Sequence, residues 1–255
     1  MISFKQLHHG EEPLLLGNVW NVESAKTYEK LGYKALATSS SAVALSLGYE
    51  DGEQMTFEEY FYIMKRIRAS VSIPLSADLE SGYGLENDTV VSNIMKLIEI
   101  GVSGINLEDT NVIDGTRKLV NRDVFYEKLK DIFIKLDKNR DQIFINVRTD
   151  PFLLNMENAL EETLERIKLF EDLKADGVFV PGMISENDIR TITEATSLPV
   201  NVMALPDLPD FDTLKELGVK RVTSGAFMYR HIYKELEKAS QKITNGKSFS
   251  PLFIE

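Results

Sequence analysis

The stretch SADLESGYG (76–84) sets Asp78 and Glu80 two residues apart at the end of an apolar run, and NLED closes another run with Glu108. In an extended strand residues i and i+2 point the same way, so the spacing predicts that Asp78 and Glu80 face one mouth together. Three carboxylates from neighbouring strands repel each other unless a cation lies between them. An all-oxygen set without His or Cys suits Mg2+, or Mn2+, with several waters kept on the metal. The plainer alternative is that these acids cap helices or pair with Lys and Arg on a rim. Arg148, at the end of FINVRTD, offers a planar fork that matches a carboxylate or phosphonate bidentately; its plainer role is an ion pair with Glu108 or Asp150. The run TSSSA (38–42) adds hydroxyls and successive backbone N–H groups, an array able to stabilise an oxyanion but equally ordinary loop chemistry.

Composition narrows the chemistry further. The 255 residues include no cysteine, which excludes disulfides, thiolate metal sites and a Cys nucleophile or acid. A net charge of −11 argues against nucleic acid and anionic membrane surfaces and points to a small-molecule partner. An anionic ligand would then need a bound cation or a local arginine to reverse the field. The apolar runs are too short to span a bilayer, and MISFKQLHHG has no apolar signal core, so a cytoplasmic location is the expectation. His8, His9 and His231 lie near the chain ends and read as surface or packing residues. No lysine ends a strand, which disfavours Schiff-base chemistry, and Gly82-x-Gly84 lacks the third glycine of a dinucleotide fingerprint. The segments ALPDLPD and SGAFMYR, after the last two strands, lack the glycines of a phosphate cradle.

The elements that must hold these residues repeat eight times: a short apolar strand ending in polar residues, then a helical stretch. The strands read as 14–20, 35–40, 75–79, 104–109, 144–150, 177–182, 199–205 and 221–226. Alternation of this kind predicts one α/β domain over residues 1–255, a closed (β/α)8 (TIM) barrel with a short C-terminal helix and tail. Helical periodicity covers 24–31, 57–69, 89–100, 123–137, 158–173, 186–195, 210–217 and 229–244, with Thr56 and Glu59 forming a capping box and Gly101 ending a helix. Three longer connections, 41–56, 80–90 and 110–123, follow strand ends, on the face where such barrels keep their functional loops.

These motifs, in this order, resemble the isocitrate lyase/phosphoenolpyruvate mutase family. The resemblance rests on GNVWNVESAKTYEKLGYKALATSSSAVALSLGYEDGE, SADLESGYG, GINLEDT, FINVRTD, GVFVPGM, LPVNVMA and GVKRVTSGA, and it runs from about residue 13 to 245. It implies that Asp78 binds Mg2+ directly while Glu80 and Glu108 hold it through water. It further implies that Ser39, with the backbone of Ser40 and Ser41, binds a carboxylate or enolate oxygen, and that Arg148 faces the substrate. Asp51 matches an acid of the second loop, Asn201 a strand 7 site residue, and Thr116, beside Arg117, falls in the gating loop. Two departures bear on the reaction. The loop 111–121 lacks the Cys and His of the isocitrate and methylisocitrate lyases, and the metal motif is D-x-E rather than D-x-D. The implied activity is cleavage or formation of a C–C or P–C bond beside the enolate of a small 2-oxo acid, such as oxaloacetate or phosphonopyruvate. The alternative is a barrel that keeps the metal site but has lost catalysis and serves as a binding protein. The resemblance also implies a homo-oligomer, dimer or tetramer. Because the chain stops soon after its last helix, a full exchanged helix is expected to be missing.

Overall fold

Eight apolar runs become eight parallel barrel strands, each somewhat shorter than its run because the polar residues at its end turn away from the ladder. In the computed structural model, which describes residues 3–253, they are β1 (two halves, Leu14–Leu15 and Gly17–Val19), β2 (Leu36–Thr38), β3 (Leu75–Asp78) and β4 (Gly104–Glu108), then β5 (Phe144–Arg148), β6 (Gly177–Phe179), β7 (Val200–Met203) and β8 (Arg221–Thr223). Residues 1, 2, 254 and 255, including the end of the apolar tail, lie outside the described residues. Each strand pairs in parallel with the next, and β1 closes the ring. Leu14 and Leu15 pair with Arg221 and Val222 of β8, while Gly17, Asn18 and Val19 pair with Leu36, Ala37 and Thr38 of β2. The expected TIM barrel is therefore the fold.

Helices on the outside follow from local signals. Thr56 accepts from the Glu59 amide while the Glu59 carboxylate accepts from the Thr56 amide, and helix Phe57–Arg68 then buries Phe57, Tyr60, Met64 and Ile67, the i, i+3, i+4 set. Helix Asn87–Glu99 ends just before Gly101, whose φ of 84° is one an L side chain rarely adopts. The outward strand residues, such as Ile105, Leu107, Ile145 and Val147, join the helices' inner faces in the main core. The inward residues form a different column. At the N-terminal end Phe4, Leu14, Leu16, Ala35, Ala37 and Phe144 make a small apolar plug, supplied in part by the short helix Phe4–Leu7.

Three features depart from the expected connections. Residues 41–56 are not one loop, because Ser39 caps a helix at Ser40–Leu47. The segment after β4 folds into an antiparallel hairpin, Thr110–Ile113 with Thr116–Leu119. The C-terminal helix, expected to be short, runs for 20 residues over Phe227–Gly246, and of its side chains Tyr229 is the buried one. Among the described residues no helix is long and apolar enough to cross a membrane.

Candidate active site

The C-terminal mouth of the barrel is built from strand ends that switch directly into turns or helices. The Ser39 hydroxyl accepts from the Ala42 amide and starts helix Ser40–Leu47 at the last residue of the β2 turn. That geometry aims both the amide and the hydroxyl of Ser40 at Asp78 Oδ2, at 3.2 and 2.7 Å. Asn106 Nδ2 donates to Asp78 Oδ1 at 3.2 Å. The Asn106 carbonyl oxygen in turn accepts from Asn146 Nδ2 at 2.9 Å and from Arg221 Nη2 at 3.2 Å, so its amide can point only one way. Asp78 thus sits at the cavity floor with both oxygens oriented by neutral donors and no cation bonded to it among the described residues.

Glu80 behaves differently from the alternation argument. β3 ends at Asp78, and Glu80 has φ 50°, a left-handed turn conformation that cancels the period of two. Its carboxylate accepts from the Tyr83 hydroxyl at 2.8 Å and the Glu53 amide at 3.0 Å. Asp78 lines a cavity of about 250 Å3. Glu80 and Glu108 line an adjoining cavity of about 530 Å3 beneath the hairpin.

Two arginines knit the acids together. Arg148 grips Asp150 bidentately, Nε to Oδ1 at 2.7 Å and Nη2 to Oδ2 at 2.9 Å, and its Nη1 lies 2.9 Å from Glu108 Oε2. Both plainer partners foreseen for Arg148 are therefore real, and its guanidinium also lines the smaller cavity. Arg117 reaches in from the hairpin to Glu108, to Thr110 Oγ1 at 2.8 Å and to Asp51 Oδ2 at 3.2 Å. Gly52 makes that reach possible. It sits at φ 102°, and a Cβ there would stand 2.4 Å from Val112 Cγ2, so only glycine lets the second loop lie this close to the hairpin. Behind them, Asp109 accepts from Thr149 Oγ1 at 2.6 Å and pairs with Arg166 at 3.1 Å, tying β4 to the helix Ala159–Asp172.

The electrostatic balance at the mouth favours a cation. Burial raises Glu80 well above the usual carboxylate range, with Glu108, Asp51 and Asp78 adding to the rise. Burial pushes Glu108 up to about 7 despite Arg148 and Arg117, and it raises Asp51 against the pull of Arg117. Oxygen donors that drive one another toward the protonated state are the chemistry a hard divalent ion fits. Among the described residues, though, no three His, Cys, Asp or Glu side chains stand together as a ready ligand set. Of the three carboxylates, Asp78 lines the smaller cavity and Glu80 and Glu108 the larger one.

Of the residues singled out from sequence, Ser39, Ser40, Ser41, Asp51, Asp78 and Arg148 line one cavity. Two do not. Asn201 is fully buried below it, donating to the Val202 and Arg221 carbonyls at 2.8 and 3.1 Å; its side chain satisfies the barrel interior and cannot reach a ligand in the cavity. Thr116 is exposed on the hairpin, because the alternation of that strand turns its neighbour Arg117 inward instead. Arg117 and Arg230 are the arginines of this cavity left without a role by sequence reasoning. Alternation would have singled out Arg117 had the hairpin been foreseen.

Comparison with known proteins bears on the family and the fold. The sequence model of the phosphoenolpyruvate phosphomutase family matches residues 4–244. An uncharacterized protein of Mycobacterium tuberculosis (strain H37Rv) is 30% identical over 246 residues, covering 96% of this chain and 90% of the relative. The oxaloacetate decarboxylase of Paraburkholderia xenovorans (strain LB400) is 25% identical, covering 95% and 81%. A crystal structure from Burkholderia cenocepacia J2315, described as that of a candidate phosphonomutase, is 36% identical and superposes with a TM-score of 0.87, covering 93% of this chain and 97% of that one.

Proposed function

The chain belongs to the phosphoenolpyruvate phosphomutase family, whose members are enzymes of the lyase and phosphonomutase type, and from that premise we propose that it is a divalent-cation-dependent enzyme of the cytoplasm acting on a small 2-oxo acid. It breaks or forms the C–C or P–C bond beside the enolate, with oxaloacetate and phosphonopyruvate the first substrates to test. The observation that carries this reading is the surplus of carboxylate around Asp78, Glu80, Glu108 and Asp51, held at the C-terminal mouth of the barrel against two arginines.

Asp78 would hold Mg2+, or Mn2+, directly, with Glu80 and Glu108 contributing through water. When bound, the cation supplies Lewis-acid stabilisation of enolate charge. The chain's own residues do the rest. Ser40 fixes the plane of Asp78. The Ser39–Ser41 turn offers N–H and O–H donors to a carboxylate oxygen, and Arg148 orients the ligand's acid group from the β5 side. Asp51 lines the cavity and pairs with Arg117, so its carboxyl is the group placed to return a proton to the enolate carbon. Arg117 and the hairpin cover the acids and keep bulk water from them. Decarboxylation of oxaloacetate demands least of this site, because the bond breaks with enolate stabilisation alone. No cysteine is present in the chain, and no histidine lines this cavity.

Calorimetric titration of chelator-stripped protein should show one Mg2+ site that Asp78→Ala abolishes. Mg2+-dependent release of pyruvate from oxaloacetate or phosphonopyruvate should fall with Arg148→Ala. Metal binding without turnover of either acid would favour the non-catalytic barrel, and an absence of metal binding would end the reading. We further propose a homo-oligomer. Ile232, Tyr233 and Leu236 form an exposed apolar stripe on successive turns of the C-terminal helix, suited to a second copy. Leu236→Glu should lower the mass measured by light scattering, and an unchanged mass would exclude that helix from the interface.

A further inference from the structure

The hairpin Thr110–Ile113 with Thr116–Leu119 stands apart from the barrel. Its two strands form a sheet of their own, and among the described residues no strand of the barrel sheet pairs with them. A two-stranded hairpin alone is at best marginally stable in water, so contacts beyond its own ladder must set its position. The incoming strand has chain continuity with β4 and the packing of Val112 on Gly52. The returning strand is the one that carries Arg117, and it is held at its exit, Val120.

Arg166 closes that exit. It comes from the helix Ala159–Asp172, is 2% exposed, and lines neither cavity of the mouth. All three of its nitrogens donate: Nη2 to the Val120 carbonyl at 2.7 Å, Nη1 to Asp109 Oδ2 at 3.1 Å and Nε to Glu162 Oε1 at 2.9 Å. The Val120 amide donates to the Asp109 carbonyl at 2.8 Å, so both ends of the hairpin meet at one guanidinium. Asp109 also serves β5. Its Oδ1 accepts from the Asp150 amide at 3.1 Å, its own amide donates to the Arg148 carbonyl at 3.1 Å, and Asp150 grips Arg148. The two site arginines then share one carboxylate, Arg117 on Glu108 Oε1 and Arg148 on Glu108 Oε2. A rigid planar fork holds a carbonyl and a carboxylate together in one plane, which an ammonium on a flexible stem does not.

We infer that Arg166 is a positioning residue: it fastens the exit of the hairpin to Asp109 and so sets Arg117 against Arg148 on Glu108. It acts from behind the site, through other side chains. Its kinetic consequence rests on the proposed function, whereas its hold on the hairpin does not.

Arg166→Lys is the discriminating variant, because it keeps a positive charge beside Asp109 and gives up the fork. Amide hydrogen exchange on the metal-free full chain should quicken roughly tenfold or more over residues 116–120 and stay unchanged over 14–16. Phe4→Ala, which loosens the opposite end of the barrel, should do the reverse. With oxaloacetate and Mg2+, Arg166→Lys should lower kcat/KM roughly fivefold in the native background and less than twofold in Arg117→Ala, where the guanidinium it positions is already gone. Glu162→Ala frees Arg166 from its own helix without removing it, and should move both readouts in the same direction by less. Unchanged exchange over 116–120, or losses that multiply in the double variant, overturns the role of Arg166 and reduces it to a structural ion pair. Absence of turnover by the native protein overturns the proposed function instead, and the exchange comparison still decides whether Arg166 holds the hairpin.

Discussion

The two ends of the barrel are made from the same strands and do opposite things. At the N-terminal end the inward residues are Leu14, Ala35 and Phe144, closed by Phe4 and by the His8 ring, which stacks on Phe144 at 4.1 Å. Two residues further along, the inward column becomes amide, with Asn106 and Asn146 hydrogen-bonded to each other, and at the C-terminal end it becomes ionisable, with Asp78, Glu108 and Arg148. Polarity thus rises along β1, β2, β4 and β5 at a period of two. The closed end contributes stability and the open end chemistry, and a substitution should affect one without the other.

The largest effects test that division. Arg148→Ala should lower kcat/KM for the 2-oxo acid on the order of 10²–10³-fold, since it removes the cationic donor on the ligand side. Phe4→Ala should leave kcat/KM unchanged but lower the unfolding free energy by about 3 kcal/mol, because Phe4 fills the space above Gly104. Urea unfolding and steady-state kinetics on both variants decide it. Loss of activity in Phe4→Ala at a temperature where it remains folded would break the division.

The next effect is in pH, where the two ends act with opposite sign. Burial and the nearby Arg221 charge lower His8 to about 3, from an ordinary 6.5. The folded state thus excludes a proton that the unfolded chain accepts, and this contribution is complete above about pH 6.5 and lost as pH falls below it. Between pH 6.5 and about 5 the loss is about 2 kcal/mol. At the other end burial raises Glu108 and Asp109 to about 7, so their contribution is complete at acid pH, below the unfolded values, and is lost as pH rises toward 7. His8→Gln should remove the acid-side loss, and Glu108→Gln should flatten the decline toward neutral pH. Saturating Mg2+ should restore stability above pH 7 more than at pH 5, because protons and metal compete for the same oxygens. Urea unfolding across this range checks it, and parallel profiles for native protein and His8→Gln would show that the histidine does not titrate as described.

Much of this organisation was legible in the sequence where the signal is local. Apolar runs alternating with amphipathic stretches specify the barrel, the Thr56–Glu59 box marks a helix start, and Asp78 and Arg148 close their runs where the strands end. What escaped depends on contacts between segments distant in the chain. The period-of-two argument fails at Glu80 because the chain turns left-handed there, and the Glu53 amide, 27 residues away, holds the carboxylate in its turned position. Asn201 carries a polar side chain at a strand position that reads as functional, yet the need to satisfy buried carbonyls fixes its role. The serine turn, read as a loop able to bind an oxyanion, also begins a helix, and Ser40 is bonded to Asp78.

The smallest effect separates neighbours on the hairpin. Thr116 and Arg117 are adjacent, and the resemblance pointed to Thr116. A two-residue alternation decides which of the pair meets the acids, and here it turns Arg117 toward Glu108 and Asp51 while Thr116 faces solvent. Arg117→Ala should therefore cost roughly tenfold in kcat/KM, the effect of removing one partner from a partly buried charge pair. Thr116→Ala should stay within about twofold, as befits an exposed position. Val112 packs on Gly52 in either variant, so the hairpin remains seated and the difference reports on the guanidinium alone. If Thr116→Ala proves the more damaging, the hairpin in the working enzyme has shifted its register by one residue, and the open end of the barrel is assembled by the other face of that strand.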